Sequence, residues 1–314
     1  MQALLLVALA GFGAQLVDGS LGMGYGLTSS TLLMAIGLTP AIASASVHLA
    51  EIGTTAASGI AHGKLGNVDK TVLRRIAVPG GIGAFAGATV LSGLSTQAAR
   101  PWASGILFLL GVYVLIRFLR RRAALVRRGR PGNRFLIPLG LVGGFVDATG
   151  GGGWGPVTTP ALLATGRMAP NRVVGTMNAA EFIVALCASA GFIVGLGLAA
   201  IRWDVLVPLL LGGLIAAPVA AWIAHRLPMR VMGVAVGGMI IVTNSVTILR
   251  AMQVSGPLFG VIVVAEVLAW LVLIGLVVRQ VRADRRAPDQ KALDQQAPEL
   301  PQQPQPTERL IASP

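Results

Sequence analysis

FGAQLVDGSLGMGYG, from Phe12 to Gly26, lies inside an apolar run of residues 3 to 37, and GFVDATGGGGWG, from Gly144 to Gly155, lies inside a second run, 134 to 166. A bilayer crossing takes about 20 apolar residues, so each run is too long for one straight span. Each is broken near its middle by an acid followed by glycines, at Asp18 and at Asp147. The pattern predicts two half-helices of about 14 to 16 residues on either side of an irregular turn in each run. Irregular backbone at membrane depth is tolerated only where it is buried in protein or lines a cavity, which makes both breaks interior.

The rest of the chain supports a membrane class. The 314 residues are 54% hydrophobic and only 12% charged, with a mean hydropathy of +0.75, far from soluble usage. Further apolar runs occupy about 41 to 62, 70 to 93, 100 to 119, 171 to 198, 203 to 225, 230 to 250 and 256 to 279. The 41 glycines follow no collagen period and suit close helix packing in a membrane. Cys187 is the single cysteine, so no disulfide framework or cysteine metal site is available. The net charge of +13 would suggest nucleic acid in a soluble chain. Here the basic residues fall mostly between apolar runs, and no nucleic-acid partner is expected. MQALLLVALA at the start lacks the basic region of a signal peptide and reads as the first element of the fold.

The two breaks open an internal repeat. Asp18 aligns with Asp147 and Tyr25 with Trp154, a spacing of 147 − 18 = 129. Further on, SASVHLAEI from Ser44 matches VGTMNAAEF from Val174, which sets His48 on Asn178 and Glu51 on Glu181, and Asp69 matches Asp204. The chain therefore divides into a first repeat, 1–119, a basic loop, 120–133, a second repeat, 134–250, an extra helix, 251–279, and a tail, 280–314, rich in Gln, Pro, Asp and Arg and expected to be disordered. The segment from Arg117 to Arg134 holds eight arginines and is assigned to the cytoplasm with the tail, by the rule that basic loops stay inside. Treating each broken run as a hairpin places the N-terminus outside and gives each half an odd number of crossings. The second half is then inverted relative to the first. Half-helices that cross fully would give the same parity, so charge leaves that choice open.

Inverted repeats with broken helices are a transporter architecture whose substrate site lies between the repeats. The second half-helices would begin near Gly24 and Gly153, aiming free N–H groups at one point, an arrangement that favours an anion. Gly22, Gly24 and Gly26, with Gly150 to Gly153 and Gly155, would let backbone approach it, and Tyr25 and Trp154 would wall it. Of seven acids outside the tail, six pair under the repeat: Asp18 with Asp147, Glu51 with Glu181, Asp69 with Asp204. Asp69 and Asp204 read as N-caps. Glu51 and Glu181 sit inside apolar spans, where a carboxyl group is costly and suited either to carry a proton or to hold unwound backbone. His48 is three residues before Glu51, on the same face, and could share its proton; Asn178 cannot titrate. Asp18 and Asp147 either tie their turns through backbone N–H groups or face the permeant. Glu266 has no repeat partner. No convincing catalytic constellation or metal site is present, and the chain is not expected to be an enzyme.

These motifs, DGSLGMGYG with SASVHLAE and DATGGGGWGPVTTPALLATG with NRVVGTMNAAE, resemble the paired motifs of the sulfite exporter TauE/SafE family over roughly residues 3 to 279. The resemblance implies a bacterial inner-membrane permease for small anions such as sulfite or organosulfonates, with no metal or organic cofactor. It carries over to Asp18, Gly22, Gly24, Gly26 and Glu51, and to Asp147, Gly151, Gly153, Gly155 and Glu181. The leading expectation is an all-α polytopic secondary transporter that exports its anion coupled to protons, with Glu51 or Glu181 carrying one. The alternatives are a passive anion channel, or a membrane scaffold or sensor acting through its tail. Oligomeric state is left open.

Overall fold

The computed structural model describes residues 2–21, 23–120, 129–224 and 228–296. These form eleven α-helices: α1 Gln2–Leu21, α2 Tyr25–Ala35, α3 Pro40–Lys64, α4 Lys70–Gly93, α5 Thr96–Leu119, α6 Asn133–Gly150, α7 Trp154–Ala164, α8 Pro170–Leu196, α9 Trp203–Ala224, α10 Met229–Ala251 and α11 Gly256–Gln296. Local chemistry accounts for several of the helix starts. Thr39 caps α3 and Pro40 fills its first turn, Asp69 caps α4, Ser95 caps α5 and Pro170 opens α8. Each supplies an acceptor for, or lacks, an N–H that a helix start leaves unpaired.

Both predicted breaks are present, but their limbs are unequal. The first limbs, α1 and α6, have 20 and 18 residues, while the second limbs, α2 and α7, have 11 each. Helical hydrogen bonding runs past Asp18 and Asp147 and stops nearer the glycines that adopt left-handed backbone, Gly24 at φ 112° and Gly151 at φ 75°. Asp204 does not cap α9. It stands inside the first turn, where Arg202 Nε donates to it at 2.7 Å. Helix α11 continues to Gln296, beyond the 279 boundary, and residues 297–314 lie outside the described residues.

Helices α4, α5, α8, α10 and α11 are long and apolar enough to cross a membrane. Helix α3 has the length, at 25 residues, yet carries Ser44, Ser46, His48, Glu51, Thr54 and Thr55. It is accommodated by being wrapped: α2, α8 and α9 pack around it. One helix pairing occurs twice: α1 lies along α9 as α6 lies along α4. Small residues make both approaches close. Gly11 faces the Leu209 carbonyl and Gly212 that of Ala8, while Gly140 faces Ile76 and Gly144 faces Gly80, backbone-to-backbone contact of the kind that substitutes for hydrophobic driving force in lipid. Helix α11 touches mainly α10. Glu266 fastens it there, accepting from the Ser245 hydroxyl at 2.7 Å, and the Trp270 indole N–H donates to the Val234 carbonyl.

At one end of the bundle, loops of both halves interlock. Asp69 takes N–H groups from Thr71 and Val72 on one oxygen and Arg130 Nε, at 2.7 Å, on the other. Its own N–H donates to Thr176 of α8, and Asn171 donates to Asn67. Burial opposes ionisation of Asp69, but the hydrogen bonds from Arg130 and from the backbone outweigh it and hold the carboxyl below its ordinary range. A lowered folded-state pKa means the stabilisation is present above the ordinary carboxylate value and lost as pH falls through the folded one. Asp69→Ala should therefore cost about 1 kcal/mol at neutral pH, mostly the cap, since Arg130 is largely exposed. The gap between thermal melts of the two proteins should begin to narrow near about pH 4 and close only below the lowered folded-state value; a gap that persists in stronger acid would show that the ionised carboxylate is not what stabilises.

Candidate functional site

The two breaks meet. A Cβ added to Gly26 would lie 2.8 Å from Gly152 Cα, and one added to Gly155 would lie 3.1 Å from Met23 Cβ. Under the spacing of 129 these are one contact made twice, since 23 + 129 = 152 and 26 + 129 = 155. The Ser30 hydroxyl donates to the Gly151 carbonyl and the Ser44 hydroxyl to the Ala148 carbonyl at 2.7 Å, so α2 and α3 of the first half grip the second break. Ser30 was not singled out from sequence, and Ser44 was read with His48 as packing, not as a hold on the second break. The run Thr28-Ser29-Ser30-Thr31, buried throughout in an apolar chain, was the available signal.

Each helix start holds a carboxylate of its own chain. Gly153 and Trp154 N–H groups donate to Asp147 Oδ1 at 2.7 and 3.0 Å, and the Tyr25 N–H donates to the Asp18 carboxyl. The dipole and orphan donors expected to face an anion are thus already engaged at Gly153 and Trp154. A free anion could take those donors only by displacing Asp147. Gly24 caps α2 and Gly153 caps α7 at the expected positions; Gly22 lies outside the described residues.

The aromatic pair divides. Trp154 is fully buried in the core formed by α4, α6, α7 and α8, with its ring over Gly80 and its N–H on the Met177 carbonyl at 3.1 Å. Tyr25 is also buried, beside Gly213, and its hydroxyl has no partner among the described residues.

The acids gather at the same place. Glu51 is 2% exposed, one carboxyl oxygen would meet a Cβ at Gly26 at 2.7 Å, and the other is unpartnered among the described residues. Asp147, Glu181 and Asp18 all lie within electrostatic reach of it, and Asp147 and Asp18 within reach of Glu181. His48 is placed differently from the expectation. Its Nε2 meets Asp147 Oδ2 at 3.1 Å across 99 residues of sequence, rather than Glu51 on its own helix. Asn178, its repeat counterpart, donates to the Val174 carbonyl of its own helix at 3.1 Å. Among the described residues no three His, Cys, Asp or Glu side chains are placed to share a metal ion.

Residues 7–247 match the family described as sulfite exporter TauE/SafE. The chain is 50% identical over 273 residues to a probable membrane transporter protein, YtnM, of Bacillus subtilis (strain 168), covering 86% of this chain and 91% of that protein. No solved structure matches.

Proposed function

The chain belongs to the sulfite exporter TauE/SafE family, and on that premise we propose that it exports a small anion, sulfite or an organosulfonate, across a bacterial inner membrane together with protons. That it is a multi-pass membrane transporter follows from the family, the similar transporter and the apolar helices. In the proposed orientation the N-terminus is periplasmic, the loop around 120–133 and the tail are cytoplasmic, and the two halves are inverted repeats. The observation that carries the proton reading is the clustering of Asp18, Glu51, Asp147 and Glu181 where the breaks meet. Two like unit charges about 4 Å apart repel by about 4 kcal/mol at an effective dielectric of 20. An anion entering ionised carboxyls would be expelled; entering neutralised ones, it would not. Proton and anion thus bind together and leave together, with Glu51 and Glu181 as carriers, down the substrate's own outward gradient.

Purified protein in liposomes, with sulfite or a sulfonate trapped inside and a pH dye outside, should release substrate and acid in a fixed ratio. Deleting residues 281–314 should preserve that release. Substrate flux without proton movement would refute the coupling, and loss of flux on deleting the tail would favour the scaffold or sensor reading.

A further inference from the structure

His48 and Asp147 are both interior, at 0% and 2% exposure. His48 Nδ1 lies 2.8 Å from the Ser44 carbonyl oxygen, an atom that can only accept, so Nδ1 carries a hydrogen. Nε2 faces Asp147 Oδ2 at 3.1 Å. A neutral imidazole with its hydrogen on Nδ1 presents a lone pair at Nε2, and an ionised carboxylate presents lone pairs at Oδ2; two such atoms do not rest at hydrogen-bond distance. One proton therefore lies between them, on Nε2 or on Oδ2, and the pair is neutral in either case. Asp147 Oδ1 is filled by the Gly153 and Trp154 N–H groups, which leaves Oδ2 as the exchangeable position.

Resting on the proton-coupled reading above, we propose that His48 and Asp147 bind one of the transported protons, and that this proton fastens the second break to α3. With the proton in place, His48 to Asp147 and Ser44 to Ala148 tie α3 to the end of α6. When it leaves, the facing lone pairs repel, Asp147 stays on the α7 N-terminus, and α3 keeps only the Ser44 tie to the break. The surroundings bias this step in a stated direction. Glu51 on α3 and Glu181 on α8 are within reach of Asp147, and Asp18 on α1 lies within reach of both glutamates. Tyr25 on α2 is within reach of Glu51 and Asp18. The Phe192 ring of α8 stands 6.0 Å from the imidazole and adds no charge. Any negative charge in this group, an incoming anion included, favours retention of the proton, so anion and proton strengthen each other's binding, as reciprocal linkage requires. Asn178, at the matching place in the second half, cannot titrate and donates to the Val174 carbonyl of its own helix. The two halves are therefore unequal in spite of the repeat.

The chain has three histidines, so replacing His62 and His225 with glutamine leaves His48 as the sole imidazole for ring-nitrogen NMR in nanodiscs. The neutral ring should be the Nδ1–H tautomer, with the Nε2 proton lost on raising pH; an Nε2–H tautomer would overturn the assignment. In liposomes, His48→Asn, which copies the second half, should lower the protons moved per anion by one, while the protons carried by the glutamates still move. An unchanged ratio in His48→Asn would overturn this proposal while leaving anion transport and the glutamate carriers standing. Wild-type protein that moves anion without protons would instead refute the coupling on which both depend.

Discussion

Gly152→Ala is expected to cost at least about tenfold in substrate flux and to lower the melting temperature by several degrees. Gly152 has φ 151°, and a Cβ there would overlap the Leu27 backbone nitrogen and the Gly26 carbonyl carbon of the opposite break. The conformation alone is worth about 1–3 kcal/mol of strain in a residue with a side chain, and the overlap is with backbone that has no rotamer to yield. The two breaks must separate for the chain to fold around the added methyl. Gly66→Ala isolates the conformational part, since φ is 70° and nothing lies within 4 Å of the added carbon; it should cost about 1 kcal/mol and leave flux intact. If Gly152→Ala is no worse than Gly66→Ala in both melts and liposome flux, the close approach of the two breaks is not needed for function.

Glu51→Gln should abolish proton-linked release, with a loss of about tenfold or more, while raising stability or leaving it unchanged. The amide keeps the shape of the carboxyl, and Glu51 sits with one oxygen unpartnered among the described residues and three other acids within reach. Removing its capacity for charge relieves repulsion that the folded state otherwise bears. A glutamate that merely held backbone through hydrogen bonds would behave oppositely, losing stability on substitution with coupling retained. Glu181→Gln should act in the same direction, and more weakly, because Glu181 is less enclosed. Thermal stability and the proton-to-anion ratio, measured on one preparation, separate the two roles. Retained coupling in both single variants and in the double variant would remove the glutamates from the carrier role.

Much of this site was legible in the order of residues. Asp18 and Asp147 stand within one turn of the breaks, which were legible because glycine follows each within a few residues and no other residue turns so readily there. Gly24 and Gly153 were located as helix starts by the same reasoning, and the alignment that set Glu51 on Glu181 paired acids too costly in lipid to be incidental. Limb lengths were less legible: helical hydrogen bonds continue through Gly19 and Thr149 until backbone of positive φ stops them. Asp204 illustrates a different failure. The same residue type that caps α4 at Asp69 joins Arg202 instead, because α9 begins one residue earlier, at Trp203, and puts Asp204 inside its first turn.

Hydrophobic run length, glycine breaks, caps and the register of the acids act over a few residues or through composition, and the sequence by itself determined them: an all-helical membrane protein with two broken runs and paired intramembrane acids. The partners across the middle were decided by tertiary structure alone. His48 turns to Asp147 and away from Glu51, Ser30 and Ser44 hold carbonyls of the second break, and Glu266 finds Ser245. Each of these bonds joins groups that are near only after their helices have packed together. A buried polar atom takes whichever partner that packing delivers, because remaining unpaired out of water costs more than any preference along the chain.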